Sequence, residues 1–266
     1  MVDEAVAGLA RQWRAAGVVA GDMLLVHSST GRTMRTLMKA GLTAAASVEA
    51  ILASFLEAVG PEGTLLLPLF NFDFTTGTPF DIRATPSHMG VLTEAGRKHP
   101  AAIRTGHPIY SFAAIGRHAE RFRGVENFSG YGPDSPFSLL RAAGGRIAVL
   151  DLPDQHSMTS YHYVEECHEV SYRFHKRFEG SYTGWDGSAA PRCFGLFVRD
   201  VARGVKTAVE PMGELLWQRG LYQGDRPGQG AGLRTIEAAS LYDAVSEVIA
   251  EGRAEGLLYR IEAPGA

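Results

Sequence analysis

The apolar positions of this chain fall into short continuous runs and into longer stretches of helical spacing, and these two patterns alternate. Three runs are typical of buried strands, at residues 23–26, 64–69 and 146–150. Between the first two, residues 43–59 place apolar side chains at the i, i+3, i+4 spacing of a helix, with Ser47 as the predicted N-cap. A strand, a helix and a strand over this length form a βαβ unit. The pattern therefore predicts an α/β fold with a parallel or mixed sheet and helices on its faces.

The rest of the chain adds elements of the same two kinds. A loop of unusual length without periodicity covers residues 70–90. No internal repeat or low-complexity tract interrupts the pattern. The further helices are predicted at residues 4–16, 137–142 and 236–250, and the further strands at 110–116 and 194–198.

Composition narrows the class of protein without indicating an activity. The chain has 266 residues, of which 45% are hydrophobic and 21% charged, as in an ordinary globular protein with one large domain. A net charge of −3 gives no basic surface for nucleic acid. No apolar run approaches the roughly 20 residues that span a bilayer, and the amphipathic start differs from a signal peptide. We therefore expect a cytoplasmic protein without nucleic-acid or membrane partners, and a homodimer as the commonest assembly.

The segment that follows the predicted strand 146–150 carries the clearest candidate chemistry. A polar turn leads there into a helix on which His162 and Glu165 are i, i+3 neighbours and share a face. Open α/β sheets place their reactive groups at the carboxyl ends of their strands, which is where this segment lies. A carboxylate beside an imidazole fixes its tautomer and stabilises its protonated form, so the pair predicts a general-base dyad.

Two other interpretations of the same segment remain open. An H-x-x-E pair on a polar helix is also typical of a surface ion pair. A cluster of ligand-type side chains allows a metal-dependent hydrolase instead, with His162 and Glu166 at the i, i+4 spacing of a zinc site. The four residues of that cluster are His156, His162, Glu166 and His168.

Two turns and one basic segment are candidates for binding an anion. His27, Ser28 and Ser29 end the first predicted strand and precede a helix, where hydroxyl and backbone N–H groups bind phosphate. Arg104 and His107 lie in a Gly- and Pro-containing loop and are candidates for holding a phosphate or a carbonyl. The cluster of Arg173, His175, Lys176 and Arg177 either meets an anionic ligand or is a solvated face.

Six short motifs, in order, resemble those of the aminoglycoside 3-N-acetyltransferases, also called the antibiotic N-acetyltransferase family. The resemblance covers roughly residues 20–170. The motifs are LVHSS from Leu25, VGPEGT from Val59, the FD of Phe80 with TPS and MG up to Gly90, RTGHP from Arg104 with Ser111, GPDSP from Gly132, and MTSYHYVE from Met158.

This resemblance implies both a fold and a reaction. The fold is a single-domain, layered α/β structure with a mixed, largely parallel central sheet flanked by helices. One acyltransferase domain would cover residues 1–266, with the coenzyme A and catalytic part at 20–170 and a less typical part at 171–266 that shapes the acceptor site. The reaction is transfer of an acetyl or other small acyl group from acetyl-CoA, or another acyl-CoA, to a small-molecule amine, without a metal.

The resemblance also implies a role for each matching residue. His162 would be the general base and Glu165 its partner, and Thr159 at the helix start would donate to the thioester oxyanion. The residues on the coenzyme A side would be His27, Ser28, Ser29, Arg104, His107 and Ser111. An aminoglycoside acceptor carries several ammonium groups that each need a carboxylate. The candidates for binding it are Asp81, Glu94 and Asp134.

The sequence departs from the family pattern in two places. Met158 stands where the family usually has Asn, which leaves open a catalytically inactive relative that binds coenzyme A or an amine. The basic and aromatic segment 172–182 is not typical of a surface that selects a polycation. An amino sugar or another small amine is therefore as suitable an acceptor as an aminoglycoside.

Overall fold

The computed structural model describes residues 1–262, and its strands form three sheets. The largest has seven strands in the order β10-β11-β6-β1-β2-β5-β4, the second is β3-β7-β8, and the third is β12-β9. The strands are β1 (Met23–Ser28), β2 (Thr64–Pro68), β3 (Phe80–Asp81), β4 (Ile103–Arg104), β5 (Phe112–Gly116), β6 (Arg146–Leu150), β7 (Arg173–Thr183), β8 (Ala189–Arg199), β9 (Val205–Thr207), β10 (Gln223–Gly224), β11 (Leu233–Glu237) and β12 (Tyr259–Ile261).

The predicted mixed α/β fold is confirmed, but the parallel share of the central sheet is smaller than the expected one. β1 pairs in parallel with both β2 and β6. The other four pairings of this sheet are antiparallel. The segment between β2 and β5 brings the chain back in the opposite direction, so these two neighbouring strands pair antiparallel. Parallel pairing is therefore confined to the three central strands.

Helices cover both faces of this sheet. Within residues 1–262 no single helix is long and apolar enough to cross a membrane. The consecutive helices Gly31–Lys39 and Ala44–Val59, bent by 116° at their junction, meet the requirements of length and composition only as a pair. The helices are α1 (Val2–Ala15), α2 (Gly31–Lys39), α3 (Ala44–Val59), α4 (Val91–Lys98), α5 (Pro136–Ala142), α6 (Ser160–Cys167), α7 (Glu210–Gln218) and α8 (Ala238–Ala250).

Alternation of side chains along the central strands divides the core into two clusters. Leu24 and Val26 of β1 face the cluster under α1 and α3, whereas Leu25 faces the other side. On the first side the Trp13 indole stacks on Phe55 with ring centroids 4.9 Å apart. The second side holds the aromatic residues that lead towards α6. The layered architecture follows from this alternation.

Two predicted helix starts are wrong, each for a local reason. α3 is capped by Thr43, whose hydroxyl accepts from the Ala46 N–H, and Ser47 lies inside the first turn with its hydroxyl donating to the Thr43 carbonyl. The predicted helix 236–250 begins only at Ala238, because residues 233–237 pair with β6 as strand β11. Where an apolar strand runs directly into a helix, no turn residue in the sequence marks the position at which the backbone changes from strand to helix.

The chain beyond residue 170 contains elements that the pattern did not predict. β7 pairs with β8 over their whole lengths, from Arg173 with Arg199 to Thr183 with Ala189. β3 adds to this hairpin in parallel, so strand pairing joins the second part of the chain to the first. The predicted single domain and its division near residue 170 stay predictions, and residues 263–266 lie outside the described residues.

Candidate active site

His162 and Glu165 meet on the first turns of α6, as their spacing predicts. The Nδ1 atom of His162 lies 2.7 Å from Oε2 of Glu165. The Glu165 side chain is only 1% exposed, whereas that of His162 is 18% exposed and reaches the protein surface. The helix begins there because residues 154–159 form a tight turn after β6 and the His162 N–H bonds the Thr159 carbonyl. The carboxylate is therefore buried behind an accessible imidazole.

Two residues at the end of the following turn complete the surroundings of Glu165. The Tyr172 hydroxyl donates to Oε1 at 2.9 Å, and Nε of Arg173 forms an ion pair with Oε2 at 2.8 Å. Burial raises the pKa of Glu165, but the Arg173 cation and the bond to His162 outweigh it, and the pKa ends below its ordinary value. Glu165 is thus ionised at neutral pH.

The imidazole of His162 also contacts Arg173. Nη2 of Arg173 lies 2.8 Å from the same Nδ1 atom that faces Glu165. Burial and the Arg173 cation lower the pKa of His162, against the opposing effect of Glu165. The ring packs edge-on against Tyr131, with centroids 5.4 Å apart. His162 is therefore a neutral imidazole at neutral pH.

His162 lies at the junction of two cavities. The larger, which we call the basic cavity, has a volume of about 550 Å³ and carries Lys176 and Arg199 on its wall beside Asp200. The smaller, the inner cavity, has about 210 Å³ and lies between Phe70 and the turn 154–159. Both are bounded by Tyr110, His162 and Thr207. Two different molecules can thus reach the imidazole from two sides.

A third cavity continues the inner one away from His162. Its volume is about 540 Å³, and it shares Gln155 and Thr207 with the inner cavity. The Gln155 N–H donates to the Glu210 carboxylate at 2.7 Å, and its side-chain oxygen accepts from the Val209 N–H. The three cavities therefore adjoin one another around Thr207 of β9, and we call them together the groove.

The floor of the inner cavity is held by a buried ion pair. Asp154 accepts from Arg234 of β11 at 2.6 Å and from the hydroxyls of Tyr161 and Tyr222. Arg234 also donates to the Leu152 carbonyl at 2.6 Å. This network fixes the turn that carries Thr159 and His162 to the sheet.

Thr159 is the third predicted catalytic residue, and it lies beside the dyad. It is the N-cap residue of α6 and lines the inner cavity together with Met158. Its backbone is helical, with φ −56° and ψ −25°, and its side chain makes no capping bond. The hydroxyl of Thr159 is therefore available to a ligand in that cavity.

The first group of predicted coenzyme residues is not among the residues that line these three cavities. His27 is buried at the carboxyl end of β1, where its Nε2 atom has no hydrogen-bond partner among the described residues. Burial and then the nearby Arg234 cation lower the pKa of His27 to about 3. The Ser29 N–H donates to the Leu150 carbonyl, and Ser28 ends the strand. None of the three lines the cavities around His162.

The second group makes contacts within the fold, and its role in binding the coenzyme stays a prediction. Arg104 donates to the Ile82 and Thr85 carbonyls and to the Ser111 hydroxyl, and its side chain is buried. His107 accepts at Nδ1 from the N–H groups that follow it and lies fully buried. Burial lowers its pKa to about 4. Most of these polar atoms bind groups of the fold, whereas Nη2 of Arg104 has no hydrogen-bond partner among the described residues.

The three carboxylates expected to bind the acceptor also lie outside the groove. Asp81 pairs with Arg83 at 2.8 Å. Glu94 pairs with Arg97 at 2.6 Å, and the hydrogen bond from that arginine is the main cause that lowers the Glu94 pKa to about 2. Asp134 is exposed in the turn before α5. Neighbouring cations, which spacing alone did not reveal, already satisfy the first two.

The cluster considered for a metal does not gather at one point. Glu166 accepts from the Ser129 hydroxyl at 2.7 Å, and His168 lies 2.8 Å from Ser246 of α8. Among residues 1–262 no group of three or more ligand-type side chains has the arrangement of a metal site.

Sequence reasoning missed Arg173 as part of the site and assigned it only to a basic cluster. The signal was present in the alternation of Arg173, His175 and Arg177 with Phe174, Lys176 and Phe178, which is the period of a strand. β7 starts at Arg173, six residues after α6 ends, and this turn returns the guanidinium to the helix face that bears Glu165.

Comparison with protein families gives one match over most of the chain. A family model described as aminoglycoside 3-N-acetyltransferase matches residues 25–250. Aminoglycoside N(3)-acetyltransferase VII of Streptomyces paromomycinus is 31% identical over 177 residues, which are 59% of this chain and 58% of that protein. The type III enzyme of Salmonella sp. is 26% identical over 196 residues, 66% of this chain and 65% of that one. The chain thus spans about three fifths of the relatives that it matches.

Solved structures share the fold over nearly the full chain. The aminoglycoside acetyltransferase AAC(3)-Xa superposes with a TM-score of 0.77 at 24% identity, covering 92% of each chain. AAC-IIIb, solved as a binary complex with CoASH, has a TM-score of 0.76 at 23% identity and covers 98% of each. AAC-VIa, solved with sisomicin bound, has a TM-score of 0.77 at 23% identity, covering 94% of this chain and 98% of that one. At these identities the likeness establishes the fold alone.

Proposed function

The chain belongs to the aminoglycoside 3-N-acetyltransferase family, and we propose that it transfers an acetyl group from acetyl-coenzyme A to the amine of a small acceptor. The observation that supports this most strongly is the position of His162 at the junction of two cavities, with the buried Glu165 carboxylate behind it. A reaction between two separate substrates needs two binding spaces that meet at one base.

In the proposed mechanism His162 acts as the general base. Nδ1–H donates to Glu165, so the unprotonated Nε2 takes a proton from the acceptor nitrogen as that nitrogen attacks the thioester carbonyl carbon. The C–S bond then breaks, the coenzyme leaves as its thiolate, and the thiolate receives the proton from Nε2. General-base help of this kind contributes about 10²–10⁴ in rate. The Thr159 hydroxyl donates to the oxyanion of the tetrahedral intermediate.

We assign the coenzyme to the basic cavity. Its wall carries Lys176 and Arg199, and within residues 1–262 neither side chain has a carboxylate at ion-pair distance. Cations with free donors bind phosphate groups, and coenzyme A carries three of them. AAC-IIIb, which shares this fold, is bound to coenzyme A in its solved structure. The acceptor then enters from the inner cavity.

The acceptor is proposed only as a small amine, either an amino sugar or an aminoglycoside. In the inner cavity the carboxylate of Asp154 is already bound by Arg234 and two tyrosines. The cavity that continues it offers Glu210 beside Arg260. This arrangement suits an acceptor with few ammonium groups better than a polycation.

We further propose that residues 1–266 act as one domain in the cytoplasm, where acetyl-coenzyme A is formed, and that two copies associate. Size-exclusion chromatography with light scattering tests the assembly directly, because a monomer mass would remove the dimer from the proposal.

The function is tested by titrating acetyl-coenzyme A into the purified protein and then measuring thiol release with glucosamine, other amino sugars and aminoglycosides. We expect saturable binding and thiol release that depends on the amine. His162→Ala should lose about 10²-fold or more of the rate while binding the coenzyme as the unaltered protein does. His99→Ala changes a partly exposed histidine before β4 that lines none of the three cavities, and it serves as the control. Absence of binding at millimolar coenzyme, or full activity of His162→Ala, would exclude the proposed mechanism.

A further inference from the structure

Arg173 holds three groups of the site at once with a single guanidinium. Its side chain is 5% exposed at the start of β7. Nη1 donates to the Phe197 carbonyl at 3.0 Å, Nε pairs with Glu165 Oε2 at 2.8 Å, and Nη2 lies 2.8 Å from His162 Nδ1. The bond to β8 fixes the plane of the guanidinium, because its donors form a rigid fork. Arg173 is therefore held in place and does not simply screen a nearby charge.

Nδ1 of His162 faces two partners, of which one requires a proton on this nitrogen and the other requires a lone pair. Glu165 can only accept a proton at Oε2, and Arg173 can only donate one. A ring nitrogen carries either a proton or a lone pair, so one of the two contacts is unfavourable. A lone pair 2.7 Å from an ionised carboxylate would be repelled, whereas Nδ1–H there makes a charge-assisted hydrogen bond. Nδ1 therefore carries the proton, and Nε2 holds the lone pair.

With Nδ1 protonated, the Arg173 cation opposes any second proton on the ring. An imidazolium would place two positive charges about 3 Å apart in a partly buried site. Of the other groups around the ring, Arg199 at the end of β8 acts in the same direction and Glu165 in the opposite one. Tyr131 and Tyr110 are neutral phenols whose pKa values burial raises.

We propose that Arg173 is a positioning residue for His162: it holds Glu165 ionised, and it keeps the imidazole neutral with Nε2 unprotonated. The inference rests on the proposed function for its consequence, because a base must be unprotonated when the substrate arrives. The inference itself concerns the tautomer and the titration of one histidine, and both are properties of the protein without substrate.

The first test uses the full chain labelled with ¹⁵N at histidine, without substrate. Long-range ¹H–¹⁵N spectra report which ring nitrogen bears the proton, and loss of signals in His162→Gln assigns them. We expect Nδ1–H, a free Nε2, and titration below the ordinary value of about 6.5. A proton on Nε2, or titration at or above that value, would overturn the inference without any Arg173 variant.

The second test changes the charge. In Arg173→Met the His162–Glu165 pair should take up its extra proton at a pH higher by about one unit or more, the usual effect of removing one adjacent charge. Arg173→Lys keeps the charge without the fork and should restore most of the low titration point. Arg177→Met, which removes a cation from the same strand, should leave it unchanged. Unchanged titration in a folded Arg173→Met protein would contradict the inference.

Kinetics separates this role from a purely structural one. For a base that works unprotonated, the rate rises with pH through the pKa of His162, so Arg173→Met should lose most activity near pH 6 and recover it near pH 8. A structural defect would lower the rate equally at both. If the tautomer and titration are as predicted but no amine gives thiol release, the proposed function is excluded and this inference stands. If thiol release depends on His162 but the tautomer is the opposite one, this inference is excluded and the proposed function stands.

Discussion

At the scale of single residues, the charge of Glu165 is set by its neighbours and not by solvent. Its two oxygens accept hydrogen bonds from the Tyr172 hydroxyl and the His162 Nδ1–H, and Oε2 forms an ion pair with the Arg173 guanidinium. A buried carboxylate with these neighbours stays ionised, because each of them favours the charged form. Replacing it therefore changes both the hydrogen bond and the charge balance next to the base.

Glu165→Gln should lower the turnover number of thiol release by about 10²-fold while leaving coenzyme affinity unchanged. The amide oxygen can accept from Nδ1–H, but the negative charge that balances Arg173 is lost. Steady-state kinetics and coenzyme titration provide the two measurements. Glu166→Gln, the next residue on the same helix, removes a carboxylate bonded to Ser129 and should keep near-normal turnover. Equal losses in the two variants would mean that helix stability and not the dyad is being measured.

Residue spacing was sufficient for the dyad because i, i+3 contacts are local to one helix turn. It was insufficient for Arg104, whose side chain donates to the Ile82 and Thr85 carbonyls of another segment. A polar residue in a turn looks the same in sequence whether its side chain binds a ligand or a carbonyl of the fold. Only the three-dimensional contacts separate the two cases.

At the scale of elements, the turn before α6 is held by β11 and α7. Asp154 in this turn binds Arg234, and Gly213 of α7 packs so close that a Cβ there would lie 2.5 Å from the Asp154 carboxyl carbon. The position of the dyad therefore depends on a buried ion pair far along the sequence.

Arg234→Met should lower the free energy of unfolding by about 3–5 kcal/mol, because it leaves the buried Asp154 carboxylate without its cation. Urea denaturation followed by circular dichroism measures this change. Arg226→Met breaks an exposed ion pair with Glu214 and should leave the free energy of unfolding almost unchanged. A loss as small as that for Arg234→Met would imply that the carboxylate finds another partner or takes up a proton.

The predictability of the elements follows from their local signals. β1, β2 and β6 are continuous apolar runs, and α3 repeats its apolar side over 16 residues, so sequence located them closely. β7 is mostly exposed, with charged residues along it, and its strand character comes from pairing with β8. β11 runs directly into α8. Its identity depends on β6, which is distant in sequence.

At the scale of the whole molecule, two histidines are buried as neutral groups in the core below the groove. His107 is fully buried with a pKa of about 4, and His27 is 5% exposed with a pKa of about 3, burial being the main cause for both. In the unfolded chain each would titrate near 6.5. Between these values the unfolded state binds more protons, so stability rises with pH over this range.

Acid should therefore destabilise the protein from about pH 6.5 downwards, by on the order of 3 kcal/mol per histidine at pH 4. His107→Gln removes one of the two groups, so we expect lower stability at pH 7 and a shallower decline between pH 7 and 4.5. Urea unfolding at several pH values gives the slope. His99→Gln, which changes a partly exposed histidine, is the matched control for this slope. An unchanged slope in His107→Gln would mean that other groups govern the acid response.

The contacts of the proposed base lie close together in the sequence, and this has a consequence for altering the site. His162, Glu165, Tyr172 and Arg173 lie within one helix–turn–strand of the chain, whereas the cavity walls also include segments scattered between Phe70 and Arg260. Many wall positions can therefore be substituted without changing the groups around the imidazole. To that extent the substrate range and the proposed chemistry can be redesigned separately within one chain.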